Sequence, residues 1–215
     1  MLLLKADKIS KSYENEFVFR DVSVSVEQGQ SIAISGPSGS GKTTLLSILG
    51  LLLRPSEGDI YWCDENVMSM SPSQIDSLRN QKFGFIFQSA NLIDSLNVLD
   101  NVLVPAYLGR HKALEKKAVQ SLSDLGLAHR LDYYPEQLSI GQRRRVAIAR
   151  ALLLDPLIIL ADEPTNDLDP NLSKWVGDYL LSLTSKGCAL LIATHDTNLA
   201  ARADKRMEVG SFSQQ

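Results

Sequence analysis

The sequence predicts an α/β fold with a mixed sheet at its core, an antiparallel β lobe at the N-terminus and an inserted helical segment. Three observations carry this reading. Apolar residues alternate at period two through residues 1 to about 35, as half-buried strands require. A phosphate-loop pattern, Gly36-Pro37-Ser38-Gly39-Ser40-Gly41-Lys42-Thr43, then joins an apolar run to a helical one. From about residue 89 to 152 the apolar spacing turns helical, and short continuous apolar runs return only afterwards.

Taken along the chain, Leu2 to Ser12, Phe17 to Val26 and Ser31 to Ser35 read as strands, divided by turn signals at Glu14-Asn15 and Gln28-Gly29. The helix of Thr44-Leu45-Leu46-Ser47-Ile48-Leu49 ends near Arg54-Pro55-Ser56-Glu57-Gly58, where a proline and a glycine stop it. Asp59 to Cys63 is a short strand, Pro72 to Gln81 a helix capped by Ser71, and Phe83 to Phe87 a buried strand. Val98 to Leu108, Leu114 to Leu127 and Ile140 to Leu153 have helical spacing, punctuated at Gly109, Gly126 and Pro135. Leu157 to Ala161 and Ala189 to Ala193 are strands, with a helix from Asn171 to Leu183 between them. The polar end, Ser211 to Gln215, is expected to fray. With no internal repeat or low-complexity segment, residues 1–215 read as one domain, with a helical subdomain at approximately 89–152.

Composition narrows the function classes. A 44% hydrophobic content is that of an ordinary globular chain, and a net charge of −3 with no basic stripe argues against nucleic acid as a partner. Arg143-Arg144-Arg145 reads as a solvated or salt-bridged helix face. No apolar run approaches the roughly 18 residues of a membrane helix, and Met1-Leu2-Leu3-Leu4-Lys5-Ala6-Asp7 is too soon charged for a signal peptide. The chain is therefore expected to be cytoplasmic. Cys63 and Cys188 lack metal-type spacing and read as small buried hydrophobes in a reducing compartment.

The chemistry begins at the phosphate loop. Its glycines, Gly36, Gly39 and Gly41, let backbone N–H groups close around the β- and γ-phosphates, with Ser38, Ser40 and Thr44 on the same turn. The following helix adds the partial positive charge of its N-terminus. Lys42 reaches the phosphates as a point charge, and the Thr43 hydroxyl ligates Mg²⁺. Downstream, Leu157-Ile158-Ile159-Leu160-Ala161-Asp162-Glu163 is an apolar strand ending in two carboxylates, which alternation sends to different sides. Asp162 suits Mg²⁺, usually through water, and Glu163 suits a base that polarises water for attack on the γ-phosphate. His195 and Gln88 end two other apolar strands, and strand C-terminal ends are where α/β sheets hold ligands. His195 then falls within reach of the γ-phosphate, and Gln88 can orient water or touch Mg²⁺.

Leu138-Ser139-Ile140-Gly141-Gln142, with the helix from Arg143 to Leu152 after it and the acidic strand shortly beyond, resembles the L-S-G-G-Q signature of ATP-binding cassette (ABC) ATPases. The resemblance covers essentially the whole chain. It implies a P-loop NTPase core with a mixed sheet, an antiparallel β subdomain and a helical subdomain that carries the signature. It also implies ATP and Mg²⁺ as cofactors, Tyr13 as the aromatic that stacks on adenine, Gln88 as the Q-loop glutamine, Asp169 as the D-loop aspartate and His195 as the switch histidine. Phe17 and Phe19 are alternative aromatic faces. Ile140 departs from the pattern at the first signature glycine, while Ser139, Gly141 and Gln142 keep it; Glu163-Pro164-Thr165-Asn166-Asp167-Leu168-Asp169 departs slightly from the Gly-Asn-Leu-Asp form.

In such ATPases the signature faces the phosphate loop of a second copy, so the resemblance implies a homodimer with ATP between Lys42 of one protomer and Ser139 of the other. The stretch from Phe87 to Val102, with its Asn-Leu and Asn-Val pairs, is similar to the lipoprotein-release, macrolide-efflux and cell-division branch, as are Ile48 to Gly58 and Ala193-Thr194-His195-Asp196. That implies a subunit docked on a separate transmembrane permease, peripheral on the inner face of the membrane, driving export, lipoprotein release or mechanotransmission. An importer ATPase, or a non-transport ATPase that regulates a membrane partner, is the alternative.

Overall fold

Alternation in the first residues produces a long hairpin. Strand β1 (Leu2–Tyr13) pairs antiparallel with β2 (Glu16–Glu27), and its other edge takes β4 (Glu57–Trp62), which pairs in turn with β5 (Glu65–Asn66). The resulting sheet has the order β2-β1-β4-β5 and buries Leu4, Ile9, Phe19, Val26 and Ile60 against the core. The computed structural model describes residues 1–14 and 16–210; Asn15 of the first turn and the expected frayed end, Ser211 to Gln215, lie outside them.

The continuous apolar runs form the second sheet. Strands β3 (Ser31–Ser35), β6 (Phe83–Ile86), β7 (Ile158–Asp162), β8 (Ala189–Ala193) and β9 (Lys205–Glu208) lie in the order β6-β7-β8-β3-β9, every neighbouring pair parallel. A parallel sheet is covered on both faces, which is why β7 and β8 are buried at every position and show no alternation. Parallel and antiparallel pairing are both present, each confined to its own sheet.

Besides the two-residue β5, two elements had no signal in the sequence. Helix α7 (Thr197–Ala201) is too short to show a period, and β9 is a mostly exposed edge strand of sequence Lys-Arg-Met-Glu. The edge is pinned from outside its own pattern: Ser31 donates to the Asp204 carboxylate through its N–H at 2.8 Å and its hydroxyl at 2.6 Å. These bonds pull the Asp204 carboxyl below the usual carboxylate range.

Helix α1 (Lys42–Leu49) crosses β8 and β7, and α2 (Pro72–Lys82) starts at a reciprocal Ser71–Gln74 capping box. Helices α3 (Val98–Leu108), α4 (Glu115–Asp124) and α5 (Ile140–Leu152) share one apolar cluster with α6 (Pro170–Ser182) and with Ile159, Ala161, Leu190 and Ile192 of the sheet. The Asn pairs before α3 have a physical role. Asn97 caps the helix by accepting from Asp100 N–H at 2.8 Å. Asn101, fully buried, accepts from Ile93 N–H at 2.7 Å and donates to the carbonyls of Ile93, Leu96 and Asn97, which stitches the loop before α3 to the helix.

Two expectations need correction. Cys63 is exposed, because it lies in the tight turn between β4 and β5 with a φ of 45°; Cys188 is half-buried, and burial pushes its thiol up to about 11. Arg144 is not a solvated face but 3% exposed, because it lies on the inward stripe of α5 with Ile148 and Ala151. Among the described residues no helix is long and apolar enough to cross a membrane.

Candidate active site

Because all five strands of the second sheet run the same way, the chain leaves β3, β6, β7 and β8 at one edge. That edge collects the phosphate loop, Gln88, the Asp162-Glu163 pair and His195. The loop depends on positive φ: Gly36, Gly39 and Gly41 have φ of 151°, 79° and 90°. A Cβ on Gly36 would lie 2.4 Å from Val209 O, and one on Gly41 would lie 2.4 Å from the Val18 side chain of β2. The hairpin therefore rests directly on the phosphate loop.

Three features of the loop fit a phosphate. Helix α1 starts at Gly41 with no capping side chain, whereas side chains of Ser71, Asn97, Ser139 and Asp169 cap α2, α3, α5 and α6. The first-turn N–H groups of Lys42, Thr43 and Thr44 thus keep their donors for a ligand. The buried Ser40 hydroxyl has no hydrogen-bond partner. Finally, the buried Lys42 ammonium is held by the carbonyls of Gly36 and Pro37, each at 2.9 Å, and by no carboxylate among the described residues. A buried cation hydrogen-bonded only to carbonyls favours an anion beside it.

The two carboxylates diverge. Asp162, buried, accepts from the Thr43 hydroxyl at 3.2 Å, so α1 and the end of β7 meet across β8. Burial raises the Asp162 carboxyl above its ordinary value and Glu163 adds to the rise, while the Thr43 bond and Lys42 oppose it. Glu163 leaves the strand at a φ of 44°, a conformation uncommon for a residue with a side chain and frequent at functional sites. Its Oε2 lies 2.9 Å from His195 Nδ1 and accepts from the His195 backbone N–H at 3.3 Å. No hydrogen bond to Oε1 is formed among the described residues. Among the described residues no cluster of three or more His, Cys, Asp or Glu could hold a metal by itself; the Thr43–Asp162 pair fits an ion that keeps water and phosphate oxygens as its other ligands.

The remaining expected residues fall in two places. Tyr13 is exposed at the hairpin tip with Lys11 Nζ 4.9 Å from one face. Phe19 is fully buried and offers no face, and the Arg20 guanidinium lies 3.6 Å over the ring of Phe17. Ser139, Gly141 and Gln142 lie at the start of α5, where Ser139 Oγ accepts from Gln142 N–H at 3.2 Å and Gln142 Oε1 accepts from Ser139 N–H at 3.0 Å. Ile140, beside them, is 54% exposed and lines a cleft with Gln88, Arg144 and Asp167. Asp169 caps α6, accepting from the N–H groups of Asn171 and Leu172. Sequence reading missed Arg144 and Arg150, which donate to the backbone of Gln88 and its neighbours. The signal was available: Arg144, Ile148 and Ala151 stand at i, i+4 and i+7.

A phosphate cradle after β3, paired carboxylates at the end of β7 and a helix opening with Ser-x-Gly-Gln together define an ATP-binding cassette. The chain belongs to the ABC transporter family, whose pattern residues 19–166 match, and is of the ATP-binding, ATP-hydrolysing subunit type. It is 40% identical to the lipoprotein-releasing system ATP-binding protein LolD of Cytophaga hutchinsonii, over 95% of both chains. It is 44% identical to the macrolide export ATP-binding/permease protein MacB of Psychrobacter arcticus, over 89% of this chain but 29% of that longer protein. The fold superposes at a TM-score of 0.90 and 32% identity on a dimeric post-hydrolysis state of the ATP-binding cassette MJ0796 bound to ADP and Pi, covering 99% of this chain and 98% of that one.

Proposed function

We propose that two copies of this chain close on two ATP molecules and drive a separate membrane permease of the lipoprotein-release or export kind. The observation that carries this reading is the incompleteness of a single copy. The phosphate loop, Asp162, Glu163 and His195 gather at one sheet edge, while the signature opens a different helix, where the side chains of Ser139 and Gln142 accept from each other's backbone N–H. Tyr13 stacks on adenine, and the N–H groups of residues 36–44 with Lys42 hold the phosphates. Mg²⁺ would be held by Thr43, Gln88 and, through water, Asp162, and would neutralise charge on the β- and γ-phosphates. Glu163, fixed by His195, accepts a proton at Oε1 from the attacking water, and Gln88 orients that water. Ser139, Gly141 and Gln142 of the partner meet the γ-phosphate from the far side, and Asp169 stands at the seam.

Closure is favoured while the γ-phosphate is shared and lost when phosphate leaves. The permease docks in a groove of about 730 Å³ between α2, β6 and α3, lined by Leu52, Phe83, Phe85, Ile93, Pro105 and Leu108. Docking there would hold the chain at the inner face of the membrane. The relatives named for lipoprotein release and macrolide export support a permease of the release or export kind.

Glu163→Gln tests the reading. The variant is expected to bind ATP, lose at least about 100-fold in turnover, as a general base contributes, and accumulate as an ATP-dependent dimer in light scattering. Normal turnover removes Glu163 as the base, and a monomer with ATP bound removes the shared site.

A further inference from the structure

Helix α5 has Ser139 at its N-cap and two inward-facing arginines behind it. Arg144 donates from Nη1 to Phe87 O and from Nη2 to Gln88 O, both at 2.5 Å. Arg150 repeats the arrangement, donating from Nη1 to Asn91 O and from Nη2 to Ala90 O, both at 2.7 Å. Two guanidinium forks on one helix thus hold four carbonyls of the segment 87–91. Burial pulls both guanidinium groups below their ordinary pKa, with Asp167 opposing this for Arg144. Among the described residues neither forms an ion pair within 4.0 Å. A buried cation whose compensation is a pair of carbonyl dipoles cannot release them without standing desolvated and unpaired. A fork also demands two acceptors in fixed geometry. The start of α5 and the backbone of Gln88 therefore move together.

We propose that Arg144 is a positioning residue that couples the two ATP sites of the dimer. It ties the backbone of Gln88, which serves the nucleotide of its own protomer, to the helix whose Ser139 serves the nucleotide of the partner. The inference rests on the shared-site reading above. When the γ-phosphate bound by the partner draws in the N-terminus of α5, the Gln88 segment of the same chain must follow. Occupancy at one site then sets the geometry at the other. The strand side of that segment is braced as well: Phe83, Phe85 and Phe87 stack along β6 with ring centroids 6.4 and 5.8 Å apart, so the loop has little freedom to yield on its own.

The test is cooperativity in ATP hydrolysis by the full chain, read beside ATP binding and melting temperature. Arg144→Gln removes the charge and one branch of the fork; Arg144→Lys keeps the charge but cannot bridge two carbonyls. For Arg144→Gln the Hill coefficient is expected to fall toward 1, with half-saturating ATP within about threefold of wild type, since coupling of this kind spans about 5- to 150-fold. Arg144→Lys should be intermediate. A wild-type Hill coefficient in Arg144→Gln overturns the proposal, including when the melting temperature alone has dropped, because that outcome makes the arginine merely structural. A wild-type chain that is monomeric and non-cooperative with ATP overturns the shared site instead, which separates the two failures. Should Arg144→Gln not fold, hydrogen exchange on the unaltered chain decides: residues 87–91 and the first turn of α5 must gain protection at one concentration of a non-hydrolysable ATP analogue, and separate midpoints overturn the coupling.

Discussion

At the scale of single residues, the site stores unfavourable charge that a ligand relieves. Asp162 shows this most directly, since burial is the largest influence on it and raises its pKa. A carboxyl raised in the folded state stabilises the fold below its unfolded value, about 3.9, and that contribution is lost as pH rises through the folded value. At neutral pH the ionised Asp162 therefore weakens the ligand-free fold. Asp162→Asn should melt higher than wild type without ligand at pH 7 to 8, by a margin that shrinks toward pH 4, and should lose the extra stabilisation that Mg²⁺ adds to ATP. Thermal melts at the two pH values, with and without Mg²⁺, check both parts; equal melting temperatures at neutral pH would show that the carboxylate costs nothing there. The buried Lys42 ammonium, of opposite charge, is bonded to two carbonyls and open to an anion.

At the scale of elements, helix N-termini divide into those closed by side chains, as at α2, α3, α5, α6 and α7, and those left open, as at α1 and α4. Ser139 belongs to the closed group, in a capping box with Gln142, yet its hydroxyl proton remains available to a phosphate. Cap and catalytic contact can be separated by substitution. Ser139→Ala should lose about 1 kcal/mol of stability and most ATPase activity. Ser139→Asp keeps a good cap and the wild-type melting temperature but sets a negative charge against the γ-phosphate, so its activity should be lost all the same. An active Ser139→Asp variant would leave Ser139 with capping alone. In the loop before α3, Asn101 satisfies one N–H and three carbonyls at once. Asn101→Ala takes the side-chain partner from Ile93 N–H and Leu96 O, while the carbonyls of Ile93 and Asn97 keep the N–H groups of Leu96 and Asn101, and should cost roughly 1–3 kcal/mol, seen as a fall of about 2–10 °C in melting temperature. ATP binding at the distant phosphate loop should persist in that variant.

At the scale of the whole molecule, the proposed function puts half of a reaction on each of two surfaces, the core sheet edge and the start of α5. In the proposed dimer the core sheet edge binds and hydrolyses, and the start of α5 completes the site of another copy. Hydrolysis should therefore depend on ATP with a Hill coefficient clearly above 1 and no more than 2, the number of sites. Activity should fall on dilution below the dimer's dissociation constant. Steady-state rates over a range of protein and ATP concentrations measure both, and full activity from a monomer would contradict the arrangement.

Local order carried much of this into the sequence. The loop Gly36 to Thr43, the acidic end of β7 and the cap at Ser71 depend on contiguous residues, so spacing alone located them, and the buried strands were visible as unbroken apolar runs. Elements without a period, such as α7 and β9, were not visible, because their stability comes from the Ser31–Asp204 bonds and from docking on neighbours. The same holds for the pairs that make the site. Glu163 with His195, Thr43 with Asp162 and Arg144 with the carbonyl of Gln88 join residues 32 to 119 positions apart. Residue types and their spacing announced a phosphate-binding ATPase; strand order β6-β7-β8-β3-β9 decided which side chains stand within 3 to 4 Å of each other, because lateral pairing of parallel strands is a long-range choice that no local pattern encodes.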